Sequence, residues 1–559
     1  MVCTGVASVL SHRLENRKMR HGGQILIDQL KIQGVDRVFC LPGESYLAAL
    51  DGLFESGIET IIGRQEGGVA IMAEAHGKLT GKPGVAFVTR GPGATNASAG
   101  VHIALQDSTP MILFVGQVAS DQRDREAFQE VDYRQMFAPL AKWVAEIDRV
   151  DRIPEYISRA FHMAVSGRPG PVVLALPEDM LAQQCDVLDA KPAQPACQDV
   201  SEASVQKVLT QLQGAENPIL IAGGGAWSAK AAKDLARFAA ALHLPVATSF
   251  RCQDYIDNRH PNYAGDLGIA PNPALLSRVQ SADCLLVLGA RMGEMTTGGY
   301  GLLDIPNPSQ TMIHIHSDAN EIGRVYRPHL GFACTASQFL AQALKTLPAV
   351  PVAPQASPEH KSYQAWQAPS ATPGAVQLEQ VILHLSATLS DDAILTNGAG
   401  NYAGWLHRYF CYKAYRTQLA PTSGSMGYGL PAAVSAKLAH PERAVVCLAG
   451  DGCFQMSMQE FGTAVQYGAN IIVIVVNNGV YGTIRMHQQK TYPDRPSGTD
   501  IRNPDFAALA RSYGGFGATI TKTDQFADAF AAARAAHAPA ILDVQTDPRA
   551  VTTRSSTAF

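Results

Sequence analysis

The segment Ala449-Gly450-Asp451-Gly452-Cys453-Phe454 sets a lone carboxylate between two glycines, directly after the apolar run Ala444 to Ala449. Gly450 and Gly452 let the backbone approach a ligand closely, and a helix starting there offers unpaired N–H groups to phosphate oxygens. Asp451 would stand at the carboxyl end of a strand, where open α/β sheets bind ligands and a hard cation finds an oxygen donor. A second apolar run, Ile471 to Val476, ends in Asn477-Asn478-Gly479-Val480, about one helix and one strand further on. Mg²⁺ wants six near-octahedral oxygens and commonly keeps phosphate and water among them. Asp451, the amide of Asn478 and the carbonyl of Val480 would supply part of that shell. Taken singly, Asp451 reads equally well as a helix cap and Asn477-Asn478 as a turn.

Other residues stand out less sharply. Glu66, in Gly63-Arg64-Gln65-Glu66-Gly67-Gly68, has the position of a first-turn acid that complements a helix dipole. Met426, in Gly424-Ser425-Met426-Gly427-Tyr428-Gly429, reads on its own as a gap-filling core methionine. His487 reads as a solvent-facing helix residue, since lone histidines are seldom catalytic. Arg485 to Asp505, polar and proline-rich, suits either a lid over substrate or an exposed loop.

Positioning these residues requires strands and helices in alternation, and the chain supplies them in three blocks, the signature of parallel α/β layers. In the first block, strands are expected over Arg37 to Leu41, Thr60 to Gly63, Val85 to Thr89 and Met111 to Val115, with helices over Glu66 to Leu79 and Thr95 to Ala104. Strands at Pro218 to Ala222, Cys284 to Leu288 and Met312 to His316 form the second block, where Gly223 to Gly225 makes a turn of weakly dinucleotide-binding character. The third block has Ala393 to Thr396, Ala444 to Leu448 and Ile471 to Val476. Pro- and Ala-rich stretches at Ala190 to Val200 and Pro348 to Pro358 read as linkers. The expected organisation is an N-terminal extension over 1–20, domains over 21–189, 201–347 and 374–549, and a tail over 550–559.

Composition narrows the class. With 559 residues, 46% hydrophobic and 17% charged, several ordinary cores are available. A net charge of -4 with no basic run argues against nucleic acid and anionic lipid, and no apolar stretch reaches spanning length. The ten cysteines are scattered without a C-x-x-C pair, so they read as reduced thiols of a cytoplasmic protein.

The G-D-G, the strand and the N-N at this spacing resemble thiamine diphosphate enzymes. Together with Gly91-Pro92-Gly93-Ala94-Thr95-Asn96 and Ala127-Phe128-Gln129-Glu130, they most closely resemble the catalytic subunits of acetolactate synthases. The resemblance implies an α/β fold of three doubly wound domains with mainly parallel sheets: pyrimidine-binding, central and diphosphate-binding. It implies Glu66 as the carboxyl group that activates the cofactor's aminopyrimidine, and Asp451, Asn478 and Val480 as Mg²⁺ ligands. It further implies cofactor contacts from Asn401, Gly424, Met426, Gly450, Gly452, Cys453 and Asn478, and a substrate pocket with Gly43, Glu44, Phe128, Gln129 and the position of His487. The implied reaction is decarboxylation of a 2-oxo acid and transfer of the resulting carbanion equivalent to a second carbonyl. The alternatives are a decarboxylase that releases an aldehyde and a catalytically silent relative. A homodimer is the implied minimum, with a dimer of dimers expected.

The chain departs from this pattern where substrate is chosen. Glu178 stands where the family carries a lysine, His487 where acetolactate synthases carry a tryptophan, Gln65 where the activating segment carries a histidine, and Glu44 in a turn that is ordinarily P-G-G-A. Gly289-Ala290-Arg291-Met292-Gly293-Glu294 differs from the flavin-associated segment, which leaves FAD open.

Overall fold

Strands such as Met111–Gln117 and Pro171–Pro177 are buried at every position, so both of their faces need cover, the condition of a parallel sheet between helices. The chain, described from a computed structural model over residues 19–196, 199–347 and 355–554, builds three such layers. Cys3, Cys197, most of the expected extension and parts of the linkers and tail lie outside the described residues.

Each layer is a six-stranded, wholly parallel sheet. From edge to edge the first runs Glu59–Ile62, Arg37–Cys40, Gly84–Val88, Met111–Gln117, Pro171–Pro177, Trp143–Glu146. The third runs Gln418–Leu419, Ile394–Asn397, Val445–Gly450, Ile472–Asn477, Ala540–Gln545, Phe516–Ile520. Both follow one plan: second strand, first, third, fourth, sixth, fifth. The middle sheet, Tyr263–Asp266, Val246–Thr248, Pro218–Ala222, Cys284–Leu288, Thr311–His316, Leu330–Ala333, winds outward from its first strand in both directions. Order reverses beside the first strand in every sheet, and such a reversal opens a crevice at the carboxyl ends.

The first and third layers share one core. The helix Glu66–Thr80 is buried almost all round, and Gly429–Ala439 is buried from Gly429 to Ala436, as helices apolar on every side must be. Ser435 Oγ donates to the carbonyl of Met72 at 2.8 Å, and the Glu74 carboxylate accepts from Tyr428 and Thr109, each at 2.7 Å. Burial is the main cause that raises the Glu74 pKa.

The expected strands all lie within two residues of their observed bounds, and two other elements differ more. The helix expected from Thr95 to Ala104 runs Pro92–Asp107, because Pro92 at its first turn has the helical φ built in and Gly91 takes φ 58° just before it. Arg485 to Asp505 is not wholly loop: Gly482–Thr491 is a helix, and the prolines that suggested a loop, Pro493 and Pro496, stand beyond its end.

Candidate active site

At the crevice of the third sheet, the strand Val445–Gly450 delivers Asp451, which is buried. Its Oδ1 accepts from the N–H of Gly452 at 2.8 Å. Its Oδ2 accepts from the N–H groups of Gly479 at 2.8 Å and Asn478 at 3.2 Å, and from Asn503 Nδ2 at 2.7 Å. Asn503 is itself held: Nδ2 also reaches Asn477 Oδ1 at 2.8 Å, and its Oδ1 accepts from Gln455 at 2.9 Å. Asn478 Oδ1 accepts from the N–H of Val480 at 3.1 Å, and the Val480 carbonyl from Gly482 at 2.8 Å. A carboxylate, an amide oxygen and a carbonyl thus gather on two adjacent strand ends.

A cavity of about 270 Å³ opens on this edge. Asn401, Gly424, Met426, Gly450, Asp451, Gly452, Cys453, Asn478 and Val480 all border it. A Cβ added at Gly424 would meet no atom within 4 Å, so the glycine leaves that wall open. Cys453 Sγ accepts from the N–H of Gly427 at 3.1 Å and lies 3.3 Å from the Tyr402 hydroxyl, which fastens the glycine-rich turn to the helix Asp451–Gln455. Among the described residues no group of three or more His, Cys, Asp or Glu is arranged to hold a metal, so a cation at Asp451 would need oxygens from a bound phosphate and water.

The first-domain candidates form a second group. Glu66 is 8% exposed, and its Oε2 accepts from Asn96 Nδ2 at 3.0 Å. Gln65 caps the helix by accepting the N–H of Gly68 at 3.1 Å. The turn before Glu66 is clamped from the third domain: Glu460 Oε1 accepts the N–H groups of Arg64 and Gln65, both at 3.0 Å. Gly43 packs over Thr89 and Gly91 over Gln129, where a Cβ would approach to 2.4 and 2.7 Å respectively. Phe128 is 73% exposed, and His487 lies on an exposed position of the helix Gly482–Thr491. None of Gly43, Glu44, Glu66, Phe128, Gln129 and His487 borders the Asp451 cavity.

A second cavity, of about 460 Å³, lies beside Gly224, Arg251 and Arg291. Added Cβ atoms on Gly223, Gly224 and Gly225 would sit 1.8 Å from Ser249 Oγ, 1.9 Å from the Gly289 carbonyl oxygen and 2.6 Å from that of Ser108. Packing against protein therefore accounts for all three glycines, and the turn carries no argument for a bound dinucleotide.

Residues 20–136 match the N-terminal TPP binding domain of thiamine pyrophosphate enzymes, 205–343 their central domain and 398–544 their C-terminal TPP binding domain. Acetolactate synthase large subunits are similar along most of the chain. That of Parasynechococcus marenigrum is 33% identical, covering 94% of this chain and 87% of the relative. That of Haemophilus influenzae is 31% identical, covering 91% of each. The isozyme 2 large subunit of Escherichia coli is 31% identical, covering 94% and 96%. The chain belongs to the acetolactate synthase family of thiamine pyrophosphate enzymes.

In this thiamine pyrophosphate enzyme, three residues of the site escape sequence reasoning. Glu460 lies 396 positions from the Arg64 N–H it accepts, and Asn503 lies 52 from Asp451, so no local spacing could link them. Arg90, between Thr89 and Gly91, pairs with both Glu44 and Glu178. The two unexpected acids, Glu44 and Glu178, were the available signal.

Proposed function

We propose that the chain decarboxylates a 2-oxo acid and joins the carbanion equivalent to a second carbonyl, with thiamine diphosphate and Mg²⁺ as cofactors. The supporting observation is the convergence of one carboxylate and one amide oxygen on a cavity whose open wall is glycine. Asp451, Asn478 and the carbonyl of Val480 hold the cation, and through it the diphosphate. Bound thiamine diphosphate supplies the electron sink for CO₂ loss and carbon–carbon bond formation. Glu66 holds a proton at the aminopyrimidine, and Asn96 fixes the carboxyl rotamer. Gly43 and Gln129 bound the space in which the donor and acceptor meet, and Met426, on the wall of the Asp451 cavity, would support the cofactor.

Glu66 and Asp451 act on one cofactor, yet Glu66 is absent from the cavity of its own third domain. The two halves of the site come from two copies of the chain, making a homodimer the smallest active unit; a dimer of dimers repeats that contact. Phe128 is 73% exposed in one chain, which suits a residue that a second copy covers. The described cysteines are all free, which fits a cytoplasmic setting. No helix among the described residues is long and apolar enough to cross a membrane.

The test is incubation with thiamine diphosphate, Mg²⁺ and a panel of 2-oxo acids, alone and with a second carbonyl, following CO₂ and identifying products by mass spectrometry. A carbon–carbon coupled product is expected. Free aldehyde as the sole product would refute carboligation, and no cofactor-dependent CO₂ would refute the reading altogether.

A further inference from the structure

Glu44, Arg90 and Glu178 follow three different strands, Arg37–Cys40, Gly84–Val88 and Pro171–Pro177, and meet at their common carboxyl edge. Arg90 is at the centre. Its Nη1 donates to Glu178 Oε2 at 2.7 Å and its Nη2 to Glu44 Oε1 at 3.3 Å, while its Nε is buried without a partner. The two pairs are unequal. The Glu178 bond is short and its side chain is 36% exposed; the Glu44 bond is long, and that side chain is 67% exposed against 10% for Arg90. An exposed, stretched pair contributes little and exchanges readily.

The position of this cation matters. Thr89, just before Arg90, packs against Gly43, and its methyl lies 2.9 Å from where a Cβ of Gly93 would stand. That same point is 3.5 Å from Glu66 Oε1. Gly91, just after Arg90, packs on Gln129. Arg90 therefore belongs to the turn that joins Glu66 to the substrate-side residues.

We propose that Arg90 receives the carboxylate of the 2-oxo acid and that Glu44 is the internal carboxylate which the substrate displaces. The assignment rests on the decarboxylation reading above and names the group that recognises its anionic substrate. Exchange of one carboxylate for another keeps the guanidinium paired throughout, so no charge is stranded in the cleft. Glu178 keeps the short bond and fixes the planar fork, which suits a carboxylate better than a point-charge lysine. Glu178 thus orients the cation that serves the substrate.

The experiment compares wild type, Arg90→Gln, Glu44→Gln and the double variant, each saturated with thiamine diphosphate and Mg²⁺. It uses the best-used 2-oxo acid of pyruvate, 2-oxobutanoate and phenylglyoxylate, and, as a substrate without a carboxylate, acetaldehyde self-condensation. Arg90→Gln should raise the KM for the 2-oxo acid about tenfold relative to that for acetaldehyde. Glu44→Gln should lower the 2-oxo acid KM by about threefold, a gain that misfolding cannot imitate, and only while Arg90 is present. Equal effects on both substrates, no effect of Arg90→Gln, or a Glu44→Gln change that survives in the double variant would overturn the assignment while leaving decarboxylation standing. Absence of cofactor-dependent CO₂ from the wild type would remove both.

Discussion

Asp451 illustrates how much of a site is orientation. Donors from Gly452, Asn478, Gly479 and Asn503 point at its two oxygens, so the orientation of the carboxylate is fixed before any cation arrives. Removing a group that orients a metal ligand typically weakens metal binding 10- to 100-fold. Asn503→Ala should therefore weaken Mg²⁺ binding about tenfold or more, and Asp451→Ala about 100-fold or more, read by titrating metal-dependent cofactor binding. Equal Mg²⁺ affinity in Asn503→Ala and wild type would show that the backbone donors suffice. At Glu66 the expectation has the opposite form. Glu66→Gln keeps the shape and the contact with Asn96, so cofactor should still bind, while turnover falls about 10²- to 10⁴-fold with loss of the proton. Isothermal titration beside single-turnover rates separates the two, and near-normal turnover would remove Glu66 from proton transfer.

At the scale of elements, the edge that carries Glu44 depends on a close helix pair. The helices Gly22–Ile32 and Leu47–Leu53 cross so tightly that a Cβ on Gly23 would lie 1.9 Å from the Ala48 carbonyl oxygen. The second of them continues directly from the short 3₁₀ turn Glu44–Tyr46. Gly23→Ala should cost about 1–3 kcal/mol by overpacking, measured by urea unfolding. The same shift should reach Glu44 and alter 2-oxo acid KM; unchanged stability would mean the pair is looser than its geometry. Strand positions were largely legible here, because buried parallel strands are continuous apolar runs: Pro218–Ala222 and Cys284–Leu288 match the expected ranges. Glu66 begins its helix as expected, whereas the start of the next helix was missed. Pro92 reads as a breaker in isolation and as a first-turn residue only once Gly91 is seen to turn the chain.

Across the whole molecule, the middle domain is joined to the third through buried polar contacts, one of which carries a pH signature. Gln253 donates to the carbonyl of His407 at 2.8 Å, and the imidazole packs edge-on to Phe250 with neither ring nitrogen partnered. Burial first, and the nearby Arg251 charge second, push the His407 pKa down to about 3. The folded chain keeps this ring neutral while the unfolded chain protonates it around the ordinary value of 6.5. Its contribution is therefore complete above that value and is lost as the pH falls towards 3, at roughly 1.4 kcal/mol per pH unit at most. His407→Phe should narrow the loss of thermal stability between pH 6.5 and acid conditions, relative to wild type in the same buffers. Parallel pH profiles for the two proteins would mean that the ring is not the group responsible.

The residues proposed for the cofactor side gather at one place, because Asp451 and Asn478 stand on the ends of two adjacent strands of one sheet. Nine of those positions, from Asn401 to Val480, border a single cavity. Three sheets, the parallel arrangement and the family were legible in the sequence because apolar runs and turn residues are local. Arg90, Glu460 and Asn503 were not. Each acts on a partner carried by another strand or another domain, across separations that no spacing records, and only folding makes them neighbours. Whether Glu178 repels a substrate or anchors the cation that binds it depends on Arg90 lying 2.7 Å away, a distance set by how three strand ends converge.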